Sequence, residues 1–107
     1  MEHARIVIAN DPRAYRDVIG ATVRVMRPDL DVVTVAPEEL EPTLLARPPG
    51  LVVCSRLTAA VESNARSWIV LYPDGRPGAT LNVAGERAAL AEIDLPRLLA
   101  VIDRAAQ

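Results

Sequence analysis

The sequence predicts an α/β domain with a doubly wound sheet, in which the last two strands form an antiparallel hairpin. The stretch Ile6–Ala9 is apolar throughout and passes directly into Asn10-Asp11-Pro12, which is typical of a strand buried on both faces and followed by a helix. Strand and helix patterns then alternate as far as Tyr72. The loop after it, Pro73–Gly78, is too short for a parallel crossover, so the next strand is expected to return antiparallel.

Length and composition predict a single domain over residues 1–107 with an adequate core, since 50% of the residues are hydrophobic. All 12 basic residues are Arg, which excludes any mechanism that needs a lysine. The net charge of −2 and the lack of a basic block argue against a nucleic-acid or membrane partner. No apolar run reaches the ~20 residues of a membrane span, and Met1–Arg5 is too polar for a signal peptide, so we expect a cytoplasmic protein.

The first half of the chain is predicted as two strands and two helices. We place the first strand at Arg5–Ala9 and the first helix from Pro12 to about Met26, with Asp11 as its N-cap. The core-facing stripe of this helix is predicted to be Tyr15, Val18, Ile19, Thr22 and Met26. Asp31–Ala36 is expected to form a second strand at an edge of the sheet, followed by a turn at Pro37–Leu40 and a short helix from Pro42.

The second half begins with an apolar strand at Leu51–Cys54, which predicts a central position. Ser55 is expected to cap a short helix over Leu57–Ala65, and Ser67–Tyr72 forms the fourth strand. The following elements are an antiparallel hairpin, Ala79–Val83 and Glu86–Leu90 joined at Ala84-Gly85, and a last helix over Leu95–Ala105. Asp94 is the expected cap of that helix, which turns Leu95, Leu98, Leu99 and Ile102 inward.

Three stretches of the chain together resemble the receiver domain of two-component response regulators. Arg5–Pro12 resembles the first strand and acidic turn of that family, Pro49–Ser55 resembles its third strand, and Ile93–Arg104 resembles its final helix. The resemblance implies a flavodoxin-like sheet with parallel strands in the order 2-1-3-4. The hairpin would then replace the last βα unit of a receiver.

The receiver pocket implied by this resemblance is degenerate. Receivers use an acidic pair for Mg²⁺, an Asp as phosphoryl acceptor, a Ser or Thr after the fourth strand and a Lys after the fifth. The matching positions here are Asn10 and Asp11 for the acidic pair, Ser55 or Cys54 for the acceptor, and Tyr72 or Pro73 after the fourth strand. The resemblance therefore implies a domain without catalytic activity, metal or cofactor, which acts in signalling through protein–protein interaction.

A small enzyme or ligand-binding protein is the alternative, with Asp11, Ser55, Tyr72 and Arg76 at the carboxyl edge of the sheet. Arg76 lies in a loop that could hold an anion or be a solvated turn. Cys54 is either a reactive thiolate, as in phosphocysteine domains of sugar phosphotransferases, or a small buried residue. The single histidine, at residue 3, precedes the first strand, so a Ser-His-Asp triad with Ser55 is not expected.

Two surfaces are predicted to mediate contact with a protein partner or with a second copy of the chain. One is the unpaired edge of the hairpin strand Glu86–Leu90, because an uncovered strand edge can pair with another chain. The other is the exposed side of the last helix. Either surface would produce a homodimer if the partner is a second copy.

Overall fold

The computed structural model describes residues 4–106, so His3 lies outside the described residues. Residues 4–106 form a six-stranded mixed sheet and four α-helices, which confirms the predicted α/β class. The strands are β1 Arg5–Ala9, β2 Asp31–Thr34, β3 Leu51–Cys54, β4 Ser67–Leu71, β5 Ala79–Val83 and β6 Glu86–Leu90. The helices are α1 Arg13–Met26, α2 Leu40–Ala46, α3 Ala59–Asn64 and α4 Leu95–Ala105. Within residues 4–106, no helix has both the length and the apolar composition that crossing a membrane requires.

The sheet has the strand order β2-β1-β3-β4-β5-β6, with helices packed on both faces. Strands β1 to β4 are parallel, and β5 runs antiparallel to both β4 and β6. Helices α1 and α4 cover one face, where Ile6 and Ile8 of β1 meet Val23 and Ile102. Helices α2 and α3 cover the other face. All residues of β3 are buried, as expected for a central strand.

The predicted core-facing stripe of α1 is confirmed for Ile19, which packs against the core, and is wrong for Tyr15, Val18 and Met26. Tyr15, Val18 and Met26 are 43%, 65% and 47% exposed, whereas Gly20 and Val23 are buried. A Cβ atom on Gly20 would lie only 2.7 Å from Cγ2 of Thr34 in β2. The glycine therefore lets α1 approach β2 closely, and this contact turns the larger side chains away from the sheet.

The predicted caps of the first and third helices are also wrong. The N-cap residue of α1 is Pro12, without a side-chain hydrogen bond, and the carboxylate of Asp11 lies 3.8 Å from Nη1 of Arg16. Helix α3 begins only at Ala59, and its cap is Thr58 rather than Ser55. By contrast, the predicted cap of α4 is confirmed, since Oδ1 of Asp94 accepts a hydrogen bond of 3.0 Å from the backbone N–H of Arg97.

Several predicted boundaries shift for local reasons. Strand β2 ends at Thr34, and a 3₁₀ turn at Pro37–Glu39 leads directly into α2. This helix begins at Leu40 because Pro42 lies in its first turn, where the missing N–H would have no partner within the helix. Strand β4 ends one residue early because Tyr72 adopts a left-handed conformation with φ of 53°.

The hairpin turn is tight, as predicted, but the first residue of the last helix is not buried. Ala84 and Gly85 have φ of 51° and 95°, as a two-residue type I′ turn requires. Leu95, which was expected to point inward, is 42% exposed because it is the first residue of α4.

Candidate functional site

The carboxyl ends of β1, β3 and β4 meet at one edge of the sheet, where open α/β sheets place their ligands. Asn10 and Asp11 follow β1, and Ser55 follows β3. Tyr72 follows β4. The backbone topology therefore brings the residues of the predicted degenerate pocket to a common edge, and their side-chain bonds decide what that edge can do.

The side chain of Asn10 links all three strand ends. It is completely buried, and its Nδ2 donates hydrogen bonds to the carbonyl oxygen of Leu71 at 3.0 Å and to Oγ of Ser55 at 3.3 Å. A carbonyl oxygen can only accept, so the contact with Leu71 determines which end of the amide points toward β4. The other end, Oδ1 of Asn10, is buried without a hydrogen-bond partner among the described residues.

The hydroxyl group of Ser55 is fully engaged in hydrogen bonds. Its Oγ accepts from the backbone N–H of Asp11 at 2.8 Å and from Nδ2 of Asn10, and it donates to the carbonyl oxygen of Asp11 at 3.3 Å. A hydroxyl has one proton to donate and two lone pairs, so these contacts use its whole capacity. None of these partners is a general base, so Ser55 is not activated as a nucleophile.

Asp11 supplies a carboxylate at this edge, and this carboxylate lies beside the guanidinium group of Arg16. Nη1 of Arg16 lies 3.8 Å from Oδ1 of Asp11 and donates to the carbonyl oxygen of Asn10 at 3.3 Å. Across residues 4–106, no three His, Cys, Asp or Glu side chains come together in a way that could hold a metal ion. Mg²⁺ at such an edge needs hard oxygen ligands, and the carboxylate of Asp11 already lies beside the guanidinium group of Arg16, which offsets its charge.

Cys54 is the last residue of β3 and lies inside the core. Its Sγ donates a weak hydrogen bond to the carbonyl oxygen of Ile69 at 3.8 Å. Burial raises the pKa of the Cys54 thiol to about 11, because the apolar surroundings disfavour the charged thiolate. The thiol is therefore protonated at neutral pH, which favours the interpretation of Cys54 as a small core residue.

The four residues of the alternative ligand site line two different depressions. Asp11 and Ser55 border a cleft of about 550 Å³ at the carboxyl edge, together with Glu38, Arg56, Thr58 and Asp74. Tyr72 and Arg76 instead border a groove of about 550 Å³ beside the first half of α1. The structure thus places Asp11 and Ser55 in one depression and Tyr72 and Arg76 in another.

Tyr72 has a structural role at the end of β4. Its hydroxyl donates a hydrogen bond of 3.2 Å to the carbonyl oxygen of Ile93, and its ring packs against the core under α1 and α4. The loop after it turns tightly, with the backbone N–H of Arg76 bonded to the carbonyl oxygen of Pro73 at 3.0 Å. The side chain of Arg76 is on the exposed side of this turn, as the solvated-turn interpretation predicts.

Edge strand β6 is one of the two surfaces predicted for protein contact, and its geometry follows from the two-residue turn. Val83 and Glu86 flank that turn as a hydrogen-bonded pair, and bonded and non-bonded pairs then alternate along the ladder. The backbone groups of Glu86 and Ala88 therefore face β5. Those of Arg87 and Ala89 face outward, along an edge that is unpaired within residues 4–106.

A third surface, the outward face of α1, was not predicted from the sequence. Ala14, Tyr15, Val18, Ala21, Val25 and Met26 are all exposed there. The signal was present in the sequence, since apolar residues cover more of the helix circumference than one buried face needs. The charged residues Arg13, Asp17 and Arg24 lie on one flank of this face.

Comparisons of the chain with known protein families, curated proteins and solved structures found no match. The chemistry of the carboxyl edge is therefore inferred from the side chains that are present there. These are a buried amide, a fully bonded hydroxyl, a carboxylate beside an arginine and a protonated thiol, with Glu38, Arg56 and Asp74 bordering the adjoining cleft.

Proposed function

We propose that this chain is a degenerate receiver-like domain that acts in signalling or regulation through protein–protein contact and has no catalytic activity. The sheet order β2-β1-β3-β4, followed by a hairpin in place of the last βα unit, supports a flavodoxin-like relationship to receivers. The observation that carries the proposal is the bridge from Asn10 to Leu71 and Ser55, because it fills the strand ends with the protein's own hydrogen bonds.

Phosphoryl transfer of the receiver type lacks its reacting groups at this edge. Ser55 has no carboxylate with which to form an acyl phosphate, and its hydroxyl is already bonded to Asn10 and Asp11. The chain contains no lysine that could stabilise the transferred group. The hairpin of β5 and β6 also replaces the segment that follows the fourth strand in a receiver.

Phosphoryl transfer is tested by incubating the protein with acetyl phosphate and Mg²⁺ and measuring its intact mass. We expect no phosphoryl adduct over a time course in which a receiver domain with the full set of phosphorylation residues is modified. A stable or base-labile adduct that maps to Asp11 or Ser55 would contradict the proposal.

The contact surface that we propose is edge strand β6, paired with β6 of a second copy. At the opposite edge of the sheet, Nη2 of Arg24 donates a hydrogen bond of 3.1 Å to the outward carbonyl oxygen of Val32 in β2, which occupies one of the groups that a pairing strand would need. Antiparallel pairing about Ala88 would set Arg87 of one copy opposite Ala89 of the other. No like charges would then face each other across the new ladder.

Substitution of Ala89 tests the contact through β6. Ala89→Pro removes an outward N–H and leaves the hydrogen bonds between β5 and β6 in place, whereas Ala89→Ser retains the N–H and is the matched control. In sedimentation velocity at increasing protein concentration, we expect the wild type and Ala89→Ser to associate equally, and Ala89→Pro to form smaller species because the contact through β6 is lost. Equal association of the two variants would contradict a contact through this edge.

A further inference from the structure

The outward face of α1 is apolar without being part of the core. Val18 and Val25 are 65% and 77% exposed, and Tyr15 and Met26 beside them are 43% and 47% exposed. The side that faces the sheet is instead occupied by Gly20 and Val23. A helix with two apolar faces covers only one of them within the domain, so the second face is available to another chain.

The spacing on this face is that of a helix–helix seam. Ala14, Val18, Ala21 and Val25 are separated by four, three and four residues, which is the 3.5-residue period of paired helices. We call these four residues the α1 seam. Two of them are alanines, whose small side chains let a second helix approach closely.

The α1 seam is self-complementary when two copies run antiparallel. Val18 of one copy then meets Ala21 of the other, and Val25 meets Ala14. Every layer pairs one large and one small side chain, so the distance between the helices stays uniform along the seam. Parallel pairing in register would instead alternate Val–Val and Ala–Ala layers.

The charges beside the seam agree with the antiparallel arrangement. Asp17 and Arg24 are both exposed on the same flank, where Asp17 lies 3.4 Å from Nε of Arg13 and Arg24 donates a hydrogen bond to the carbonyl oxygen of Val32. In an antiparallel pair, these flanking positions face their equivalents on the other helix, which brings Asp17 of one copy beside Arg24 of the other. Unlike rather than like charges would then be adjacent on both sides of the two-fold axis, which favours this direction without requiring a direct ion pair.

From this spacing and charge pattern, we propose that the α1 seam is a self-association surface that pairs antiparallel with α1 of a second copy. This contact goes beyond the proposed contact through β6 and does not depend on it. Helix α1 packs on β1 and β2, whereas β6 lies at the opposite edge of the sheet. Both contacts can therefore form at the same time and would build species larger than a dimer.

Substitution of Val18 tests the seam directly. Val18→Glu places a carboxylate in the centre of the seam without affecting the core, because this side chain is 65% exposed in the single domain. Leu45→Glu is the matched control, since Leu45 is 62% exposed on α2, away from the seam. We expect Val18→Glu to raise the dissociation constant for self-association about tenfold or more, whereas Leu45→Glu leaves it unchanged. Circular dichroism checks that both variants are folded.

Combining substitutions on the two surfaces distinguishes a failure of the proposal for α1 from a failure of the proposal for β6. In the Ala89→Pro background, the remaining association should be abolished by Val18→Glu. A monomeric Ala89→Pro protein would overturn the proposal for α1 and leave the contact through β6 intact. Association that survives in Ala89→Pro and disappears in Val18→Glu alone would support α1 and contradict β6. Equal association of Val18→Glu and Leu45→Glu would also overturn the proposal for α1.

Disulfide trapping tests the direction of the helices. Proteins carrying Val18→Cys and Ala21→Cys are mixed under mild oxidation, and Cys54 contributes little background because it is buried. The antiparallel seam predicts that the disulfide between residues 18 and 21 of different copies forms faster than either homodisulfide. A dominant disulfide between two copies of Val18→Cys would indicate parallel pairing and overturn the proposed arrangement.

Discussion

Nδ2 of Asn10 donates a hydrogen bond of 3.0 Å to the carbonyl oxygen of Leu71, and this bond joins the carboxyl ends of β1 and β4 across β3. A second bond from the same nitrogen reaches Ser55 at the end of β3. The amide therefore lies at the carboxyl edge, where open α/β sheets place their ligands. Its hydrogen bonds stabilise the folded state and occupy Oγ of Ser55 and the carbonyl oxygen of Leu71.

Asn10→Asp should destabilise the protein strongly at neutral pH. The new carboxylate would be fully buried and would face the carbonyl oxygen of Leu71 without a proton to donate, at a cost of roughly 2–3 kcal/mol. Burial would raise the pKa of this carboxyl above its value in the unfolded chain. The loss of stability should therefore be smallest near pH 4 and grow as the pH rises through the folded-state pKa.

Urea unfolding of Asn10→Asp and Asn10→Ala at several pH values measures this effect. The alanine variant also loses the two hydrogen bonds but introduces no titrating group, so its loss of stability should not depend on pH in this way. Parallel pH profiles for the two variants would show that residue 10 is not in the buried environment described here.

Gly20→Ala should destabilise the domain although alanine is the better helix former. The added Cβ would lie 2.7 Å from Cγ2 of Thr34, and overpacking of this kind costs about 1–3 kcal/mol. Thr34→Ser removes that methyl group, so the double variant should recover most of the lost thermal stability. If Gly20→Ala alone raises the melting temperature, the close approach of α1 and β2 is not present.

Asp103→Asn should lower stability at neutral pH and have little effect in acid. Arg27 binds both carboxylate oxygens of Asp103, at 2.7 and 2.8 Å, and this contact lowers the pKa of Asp103 below the ordinary 3.8. A carboxyl group whose pKa is lower in the folded state than in the unfolded state stabilises the protein at pH values above the unfolded-state pKa. This stability is lost as the pH falls through the folded-state pKa. Thermal melts should therefore differ at pH 7 and converge as the pH falls through the folded-state pKa of Asp103. A difference that persists in acid would contradict this contribution of the ion pair.

The thiol of Cys54 should react slowly with maleimides in the folded protein. It is 2% exposed, and burial raises its pKa to about 11, so both access and thiolate population are low at pH 7. Labelling in denaturant should be complete within minutes, which provides the control. Rapid labelling under native conditions would contradict the buried position at the end of β3.

The strands were predictable from the sequence because their signal is local. The continuous apolar runs of β1 and β3 indicated central strands, and the short loop before β5 required an antiparallel return. The orientation of α1 was not predictable from periodicity, because both faces of this helix are apolar. The contact between Gly20 and Thr34, which lie on different elements, decides which face is buried.

At the candidate site, too, features that depend on local sequence were predictable and tertiary contacts were not. The sequence correctly predicted that Asn10, Asp11 and Ser55 follow neighbouring strands, since this depends only on strand order. It predicted caps for Asp11 and Ser55, but tertiary bonds involve both residues instead. The backbone of Asp11 and the side chain of Ser55 bind each other across the strand ends, a contact between residues 44 positions apart.

The most direct test of this account is an NMR titration with Mg²⁺ and beryllofluoride, followed at the backbone amides of Asp11 and Ser55. Because the strand ends are joined by Asn10 and the reacting groups of a receiver are missing, we predict no saturable shift at either amide. A saturable shift at both amides, dependent on the two reagents together, would show that a phosphoryl mimic enters this edge and would contradict the account.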